Sequence, residues 1–390
     1  MRSKVIIPKI CLALMLLNLY VFTVVFKKTI PHCTQIATLI AVANIIFFSL
    51  GDRQMTNTAY RDLYPLVGYA VFALFTGALL GLYTNYPIEK TFGLFELLVF
   101  AIIICYICYI EQSYEYIYLL SVFIAVIDAV YAIITNQDLY TRMVLANNVS
   151  ENTAGLLFTV GVISSYLSKS KFMNRYIKLF VNLILLTGMV LTGSRQAVLL
   201  SALVYLNWIF PSIKGRFTGG KLGIADLVFS MAIVALVVTL LNSSIVSDFQ
   251  QTKFYARITG ENASTVTSDA QRGNLYRMGI EDMKSSPIWG VGYKNTTSYT
   301  HSTYMEVLGG TGFLGALLFF LPLIKKFLLY MRNSRSALSE EGKKHYKDKL
   351  LIMIVLFVMM LFRAIHYYMP SMIILVIGIT SFDKTDERVE

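Results

Sequence analysis

Charged side chains are scarce in this sequence. Asp, Glu, Lys and Arg make up 15% of its 390 residues, whereas soluble globular chains carry about 25%. Apolar residues reach 56%, and the mean hydropathy is +0.61. This balance excludes an ordinary soluble domain, because such a domain could not bury so much apolar surface. The composition predicts an integral membrane protein.

Cysteine is also rare, with four residues in the chain. Cys11, Cys105 and Cys108 lie in apolar runs, and Cys33 stands near the end of another. This distribution excludes a disulfide framework, and the CxxC spacing in an apolar run favours packing over metal binding or redox chemistry. Internal repeats and low-complexity tracts are absent from the sequence as well, which excludes a repeat architecture.

Long apolar runs dominate what remains. A helix needs roughly 20 mostly apolar residues to cross the hydrocarbon core, and the sequence offers about twelve such runs, within a range of 11 to 13. The predicted fold class is therefore all-α, a polytopic transmembrane helix bundle. The first run lacks a small-residue cleavage site and is predicted to be a retained helix. The predicted spans are 5–26, 31–50, 63–83, 91–110, 114–134, 153–167, 176–193, 196–212, 223–242, 302–324, 350–366 and 368–382.

The distribution of Lys and Arg predicts the orientation. With the N-terminus inside, 22 of the 34 basic residues lie on the cytoplasmic side, as the positive-inside rule expects. Both termini are then cytoplasmic. The chain divides into helices 1–9 in residues 1–242, a large extracytoplasmic loop with short helices and part of the active site in 243–301, and helices 10–12 with a cytoplasmic tail in 302–390.

Two arginines stand on the predicted outer face. Arg195 lies in TGSRQ at the tight junction between two spans, and it could alternatively extend to lipid headgroups. Arg272 lies in TSDAQRGNLYRMGIEDMKSSP, which we interpret as a helix capped by Ser268. Arg272 would then occupy the first turn, where the helix dipole favours a phosphate. The alternative is an ordinary surface helix with a solvated arginine.

The segment PIWGVGYKNTTSYTHSTYMEVLGGTGFLG carries the remaining polar features. His301 opens a span and suits proton transfer near neutral pH, although a lone interfacial histidine is more often structural. Glu306 lies five residues further, inside the apolar run, where a charge is costly. The glycines around it favour close helix packing, and the isolated GxG at Gly290 and Gly292 favours a turn.

These motifs together resemble one bacterial family. The order TGSRQ, then Arg272 before PIWGVGY, then HSTYMEVLGGTGFLG is similar to the family of O-antigen ligases and of O-antigen and capsule polymerases. One departure is Ser302, where many members have Asn. The resemblance implies a glycosyltransferase of the bacterial cytoplasmic membrane whose active site is extracytoplasmic.

The resemblance also implies roles for individual residues. Arg195 and Arg272 would bind the pyrophosphate of an undecaprenyl-pyrophosphate-linked oligosaccharide donor, and His301 would activate or orient the acceptor hydroxyl. The transfer would invert the anomeric centre without metal or cofactor. Three further residues are expected to contact substrate: Glu306, Tyr293 and Tyr304.

Two other functions stay open at this point. A ligase would use the same donor but another acceptor, lipid A-core or protein, and the segment around His301 favours a repeat-unit polymerase over it. A transporter or flippase of lipid-linked sugars would use the intramembrane carboxylates Glu96, Asp128 and Asp226. The expected partners of a polymerase are donor and acceptor lipids, membrane lipids, a flippase and a chain-length regulator. Nucleic acid is not among them.

Overall fold

The computed structural model describes Leu39 and residues 61–83, 88–111, 113–135, 151–192, 194–218, 263–337, 339–367 and 369–380. Within these residues the chain forms helices and turns without strands. Short 3-10 turns at Arg61–Leu63, Ile88–Thr91 and Ile365–Tyr367 precede three of the helices. The α-helices are Tyr64–Tyr83 (α1), Phe92–Glu111 (α2), Glu115–Thr135 (α3), Glu151–Leu167 (α4), Arg175–Thr192 (α5), Arg195–Thr218 (α6), Ala263–Ser285 (α7), Thr303–Ser336 (α8), Glu340–Phe362 (α9) and Met369–Ile379 (α10).

The predicted all-α class is confirmed for the described residues. By length and composition, four helices there could cross a membrane: Arg61–Tyr83, Glu115–Ile134, Arg175–Thr192 and Thr303–Ser336. Gly93–Cys105 and Asn152–Leu167 are shorter apolar helices. Apart from Leu39, the predicted spans 5–26, 31–50 and 223–242 lie outside the described residues, so the count of twelve stays a prediction.

One group of helices is built around α4, which contacts α3, α5, α6 and α10. Small residues bring these backbones together. A Cβ atom at Gly161 would lie 2.6 Å from the Cβ of Ala125 on α3, and one at Gly188 would lie 2.9 Å from the ring of Phe158. Such contacts are typical of membrane helices, whose association depends on close packing rather than on the hydrophobic effect.

The second group surrounds α8, which contacts α1, α7 and α9. Its 34 residues would extend roughly 51 Å at 1.5 Å per residue, so it continues twelve residues beyond the predicted end of its span at 324. Gly312 interrupts the helical dihedral angles with φ 64° and ψ −168°. The loop segment 287–292 packs at this kink.

The last two helices correct the predicted boundaries. α9 begins at Glu340, ten residues before the predicted 350, because Ser339 caps it by accepting a hydrogen bond from the Gly342 amide at 3.0 Å. It ends at Phe362, and Arg363 is extended with φ −146° and ψ 141°. After the 3-10 turn, α10 runs for only 11 residues. The predicted pair 350–366 and 368–382 is therefore a broken element.

The bundle has two ends, which we call the His301 end and the Lys349 end. At the Lys349 end, this buried lysine on α9 donates to the hydroxyl of Tyr114 at 2.9 Å and to the carbonyls of Ile377 and Thr380 at 2.7 and 2.9 Å. These carbonyls belong to the last turn of α10 and the residue after it. Lys349 therefore caps the C-terminal end of α10.

Candidate functional site

Four consecutive backbone carbonyls end α9 at the His301 end of the bundle. An α-helix leaves its last carbonyl groups without intrahelical donors, so partners must come from elsewhere. Each of these four carbonyls accepts a hydrogen bond from another segment of the chain, namely α6, α7 or the start of α8. We call the group the α9 terminus; its residues are Met360, Leu361, Phe362 and Arg363.

The junction of α5 and α6 reaches the α9 terminus through Gln196, whose Nε2 donates to the Phe362 carbonyl at 3.0 Å. Arg195 is the neighbouring residue and the first of α6. The junction also packs tightly on α4, because a Cβ atom at Gly155 would lie 2.7 Å from the Cβ of Ser194. The junction is therefore bonded to α9 and packed on α4, and this positions the backbone of Arg195 beside the end of α9.

Helix α7 reaches the same turn through Tyr276, whose hydroxyl donates to the Leu361 carbonyl at 2.9 Å. Arg272 lies one helical turn earlier on α7. The predicted helix exists, but it begins at Ala263 instead of being capped by Ser268, so Arg272 lies mid-helix. The prediction that the first-turn dipole serves Arg272 is wrong, and its positive charge is the guanidinium alone.

The start of α8 makes the third connection. The Ser302 hydroxyl donates to the Met360 carbonyl at 3.3 Å, and the Thr303 amide and hydroxyl both donate to the Arg363 carbonyl, at 3.0 and 2.5 Å. His301 immediately precedes these two residues. The α9 terminus thus holds together the segments that carry all three of the predicted catalytic residues.

His301 itself is half-buried and has a left-handed backbone with φ 57°. Its ring contacts that of Tyr299 edge-on, with 4.2 Å between centroids. Burial, followed by the positive charges of Arg363 and Arg272, lowers the pKa of His301 from its ordinary 6.5 to about 4. The imidazole is therefore neutral at pH 7, the form that accepts a proton.

Two buried carboxylates fix the loop in front of His301. Glu306 accepts from the Thr300 amide at 2.6 Å, from the Thr300 hydroxyl at 2.9 Å and from the Thr296 hydroxyl at 3.0 Å. Asp282 of α7 accepts from the amide and the hydroxyl of Thr297 at 2.8 and 2.5 Å. Left-handed φ costs a non-glycine residue about 1–2 kcal/mol, and these bonds hold the loop that imposes it on His301.

A comparison with protein families identifies the region that contains these residues. A family model described as O-antigen ligase matches residues 180–320. This chain carries an O-antigen ligase family domain. The predicted family is thus confirmed, and this family implies glycan transfer of the ligase or polymerase type. A search of curated proteins gives no match.

Within the O-antigen ligase domain, the paired glycine motifs form one packing unit. The Gly292 amide donates to the Gly310 carbonyl at 2.8 Å, and a Cβ atom at Gly290 would lie 2.4 Å from the Gly310 backbone. At the kink, a Cβ on Gly312 would lie equally close to Ile288. The GxG is thus a turn, as predicted, and the glycines of α8 pack against this loop.

Tyr293 and Tyr304, the two tyrosines predicted to contact substrate, both hydrogen-bond to backbone carbonyls of the bundle. Tyr293 is 1% exposed, and its hydroxyl donates to the His366 carbonyl at 3.0 Å. Tyr304 is half-buried; it stacks on Phe320 and donates to the Phe357 carbonyl at 3.3 Å. Their predicted substrate contacts stay predictions, and these bonds support a role in positioning the loop and α8.

Sequence reasoning missed two residues of the site. Asp282 was indistinguishable from other loop charges. Arg363 is 4% exposed, and its Nη2 donates to the Thr153 hydroxyl at 3.4 Å. It lies beyond the matched O-antigen ligase domain. Its signal was the presence of a charged residue inside the predicted span 350–366, which usually marks a polar cavity or a functional group.

The alternative readings stay untested. In the described residues no group of three or more His, Cys, Asp or Glu side chains could hold a metal ion, and independence from metal stays a prediction. For the transporter alternative, Asp128 is half-buried on α3, whereas the side chain of Glu96 and all of Asp226 lie outside the described residues. Cys105 and Cys108 are buried free thiols, as the packing interpretation predicted.

Proposed function

We propose that this chain polymerises lipid-linked oligosaccharide repeat units on the outer side of a bacterial cytoplasmic membrane, with both termini in the cytoplasm. The observation that supports it best is the α9 terminus. It joins the segments of Arg195, Arg272 and His301, two fixed positive charges and a neutral base. A flippase would deliver the substrates, and a chain-length regulator would act on the product.

The reaction is a displacement at the anomeric carbon. The acceptor hydroxyl oxygen forms the new glycosidic bond while the bond from that carbon to the pyrophosphate oxygen breaks, which inverts the configuration. The electron pair leaves with undecaprenyl pyrophosphate, and the hydroxyl proton passes to His301. Arg195 and Arg272 stabilise the charge on the leaving group through bidentate hydrogen bonds, the function that a divalent ion serves in other enzymes.

The low pKa of His301 fits this sequence of events. Arg363 and Arg272 disfavour the imidazolium form before the donor binds. A bound pyrophosphate would offset their charges and raise the basicity of the imidazole. His301 would then become a stronger proton acceptor when the donor is present, and general base catalysis of this kind contributes about 10² to 10⁴ in rate.

The test is transfer by purified protein supplied with lipid-linked repeat units, with and without EDTA. Arg195→Ala and Arg272→Ala should each lower the rate by about 10²-fold or more, because each removes a charge-stabilising group. Arg277→Ala is the matched control, since Arg277 lies on α7 with its side chain 76% exposed. Full activity in both variants, or loss in EDTA that Mg²⁺ restores, would contradict the mechanism.

The second candidate is a ligase, which the description of the matched family favours. It would use the same donor, the same arginines and the same histidine, and it would differ in the acceptor. Competition between a lipid-linked repeat unit and lipid A-core as acceptors separates the two. Products that grow by successive repeat units support the polymerase, and a single transfer to lipid A-core supports the ligase.

A further inference from the structure

Arg363 is a buried cation and the last residue of the α9 terminus. Its side chain is 4% exposed, and its backbone carbonyl accepts two hydrogen bonds from Thr303. Burying a guanidinium removes its hydration, so other groups must compensate the charge. A helix end, polar groups inside the protein and a bound ligand can each contribute to this compensation.

Stabilising the helix end does not require this charge. A basic residue near a helix C-terminus often hydrogen-bonds the last carbonyls. Here neutral donors already occupy all four carbonyls of the α9 terminus: the side chains of Ser302, Tyr276 and Gln196, and the amide and hydroxyl of Thr303. The Arg363 guanidinium instead extends to Thr153 at the start of α4.

The hydrogen bonds of the α9 terminus place Arg363 beside the segments of the other site residues. Of the two arginines that disfavour the charged form of His301, Arg363 has the larger influence and Arg272 the smaller. Gln196, next to Arg195, is bonded to the carbonyl that immediately precedes Arg363. Three guanidinium-bearing segments and one neutral imidazole therefore meet at one helix end, and an anion bound there would be compensated from three sides.

We propose that Arg363 is a third guanidinium ligand for the pyrophosphate of the donor, alongside Arg195 and Arg272. This inference rests on the proposed function. The donor is a diphosphate diester with two negative charges, which Arg195 and Arg272 can match, and cleavage of the glycosyl bond gives the leaving undecaprenyl pyrophosphate a third charge that Arg363 would match. Arg363 contacts the leaving group and leaves the proton transfer to His301.

The experiment measures binding of undecaprenyl pyrophosphate to purified protein in nanodiscs of zwitterionic lipid, followed by initial rates against donor concentration. Arg363→Gln should weaken binding by about tenfold or more and raise KM for the donor, because it removes a charged bidentate ligand. Arg363→Lys should recover part of the affinity, since an ammonium keeps the charge but not the fork. The control is Arg335→Gln, which removes an exposed arginine near the end of α8 and should bind as the wild type does.

Each outcome separates the inference from the proposed function. Wild-type affinity and rates in folded Arg363→Gln overturn the inference and leave the function standing. Loss of binding in Arg363→Gln, together with a wild type that binds the carrier but transfers no glycan, supports the anion site and overturns the function. If the Gln variant does not fold, wild-type affinity in Arg363→Lys overturns the inference. Equal competition by anionic phospholipid also overturns it, because the guanidinium would then bind headgroups.

Discussion

Helix α9 carries two buried cations, Lys349 within the helix and Arg363 at its C-terminal cap, and the two are held differently. Lys349 is 3% exposed and donates to a hydroxyl and to two carbonyls of the C-terminal end of α10. Arg363 is buried to a similar degree, but the helix end beside it is capped by neutral groups. Its charge lies near another arginine and a histidine whose charged form it disfavours.

The difference separates structural from functional buried charge. Lys349 completes the hydrogen bonding of a helix terminus, so its charge stabilises the fold. Arg363 adds positive charge around His301, where Arg272 also acts, and this concentration of positive charge favours an anionic ligand. Burial by itself therefore does not identify a site, whereas the groups that surround each cation do.

The largest effect that would test this comparison is on stability. Lys349→Met should lower the free energy of unfolding by about 3 kcal/mol, because carbonyls at the end of α10 lose a buried donor. The measurement is thermal unfolding in detergent, with Lys343→Met as control. Lys343 pairs with Glu340 at the surface, and its removal should cost under about 1 kcal/mol. Unchanged stability in Lys349→Met would break the comparison.

A smaller effect is expected on the rate from the carboxylate at the His301 end. Glu306→Gln keeps one oxygen for the Thr300 amide but loses an acceptor for a threonine hydroxyl. Transfer should fall by about tenfold as the loop before His301 loosens. Initial rates at saturating donor measure this, with exposed Glu281→Gln as control. Complete loss in folded protein would assign Glu306 to the chemistry itself.

The smallest effect is a shift in pH dependence. The wild type should keep kcat/KM as the pH falls from 7 and lose it near pH 4, where His301 gains a proton. The groups facing His301 are Arg363, Arg272 and the ring of Tyr299. Removing positive charge favours the protonated form, so Arg363→Gln should move the acid limb to higher pH. Lys349→Met should leave it in place, and a shift there would contradict the assignment.

The sequence predicted the helices better than the site. Hydropathy located both ends of α1 to α5 and the start of α6 within two residues, because spans are encoded locally by composition. The order of the motifs predicted that Arg195, Arg272 and His301 belong to one site. Boundaries failed where polar residues continue a helix past its apolar part, as at the start of α9 and the end of α8.

What could not be predicted depends on tertiary hydrogen bonds. Every residue has a backbone carbonyl, so the sequence does not show that those of residues 360–363 join the other segments of the site. The charge of Arg363 inside a predicted span indicated a polar environment, but the sequence did not show which groups surround it. The prediction that Arg272 lies in the first turn of α7 was wrong for a different reason. Ser268 followed by Gln271 fits a capping box, but the helix begins earlier and continues through these residues.

The α9 terminus also affects how such enzymes could be recombined. Its four acceptor carbonyls lie some forty residues past the end of the matched region 180–320, whereas nearly all of their donors lie inside it. A chimera that exchanges 180–320 alone would bring new donors to an acceptor turn inherited from the other parent. The smallest segment that can be exchanged therefore extends through residues 363–367, which interrupt the helix between α9 and α10. Parents that differ in this interruption would yield hybrids that fold but hold the site residues out of alignment.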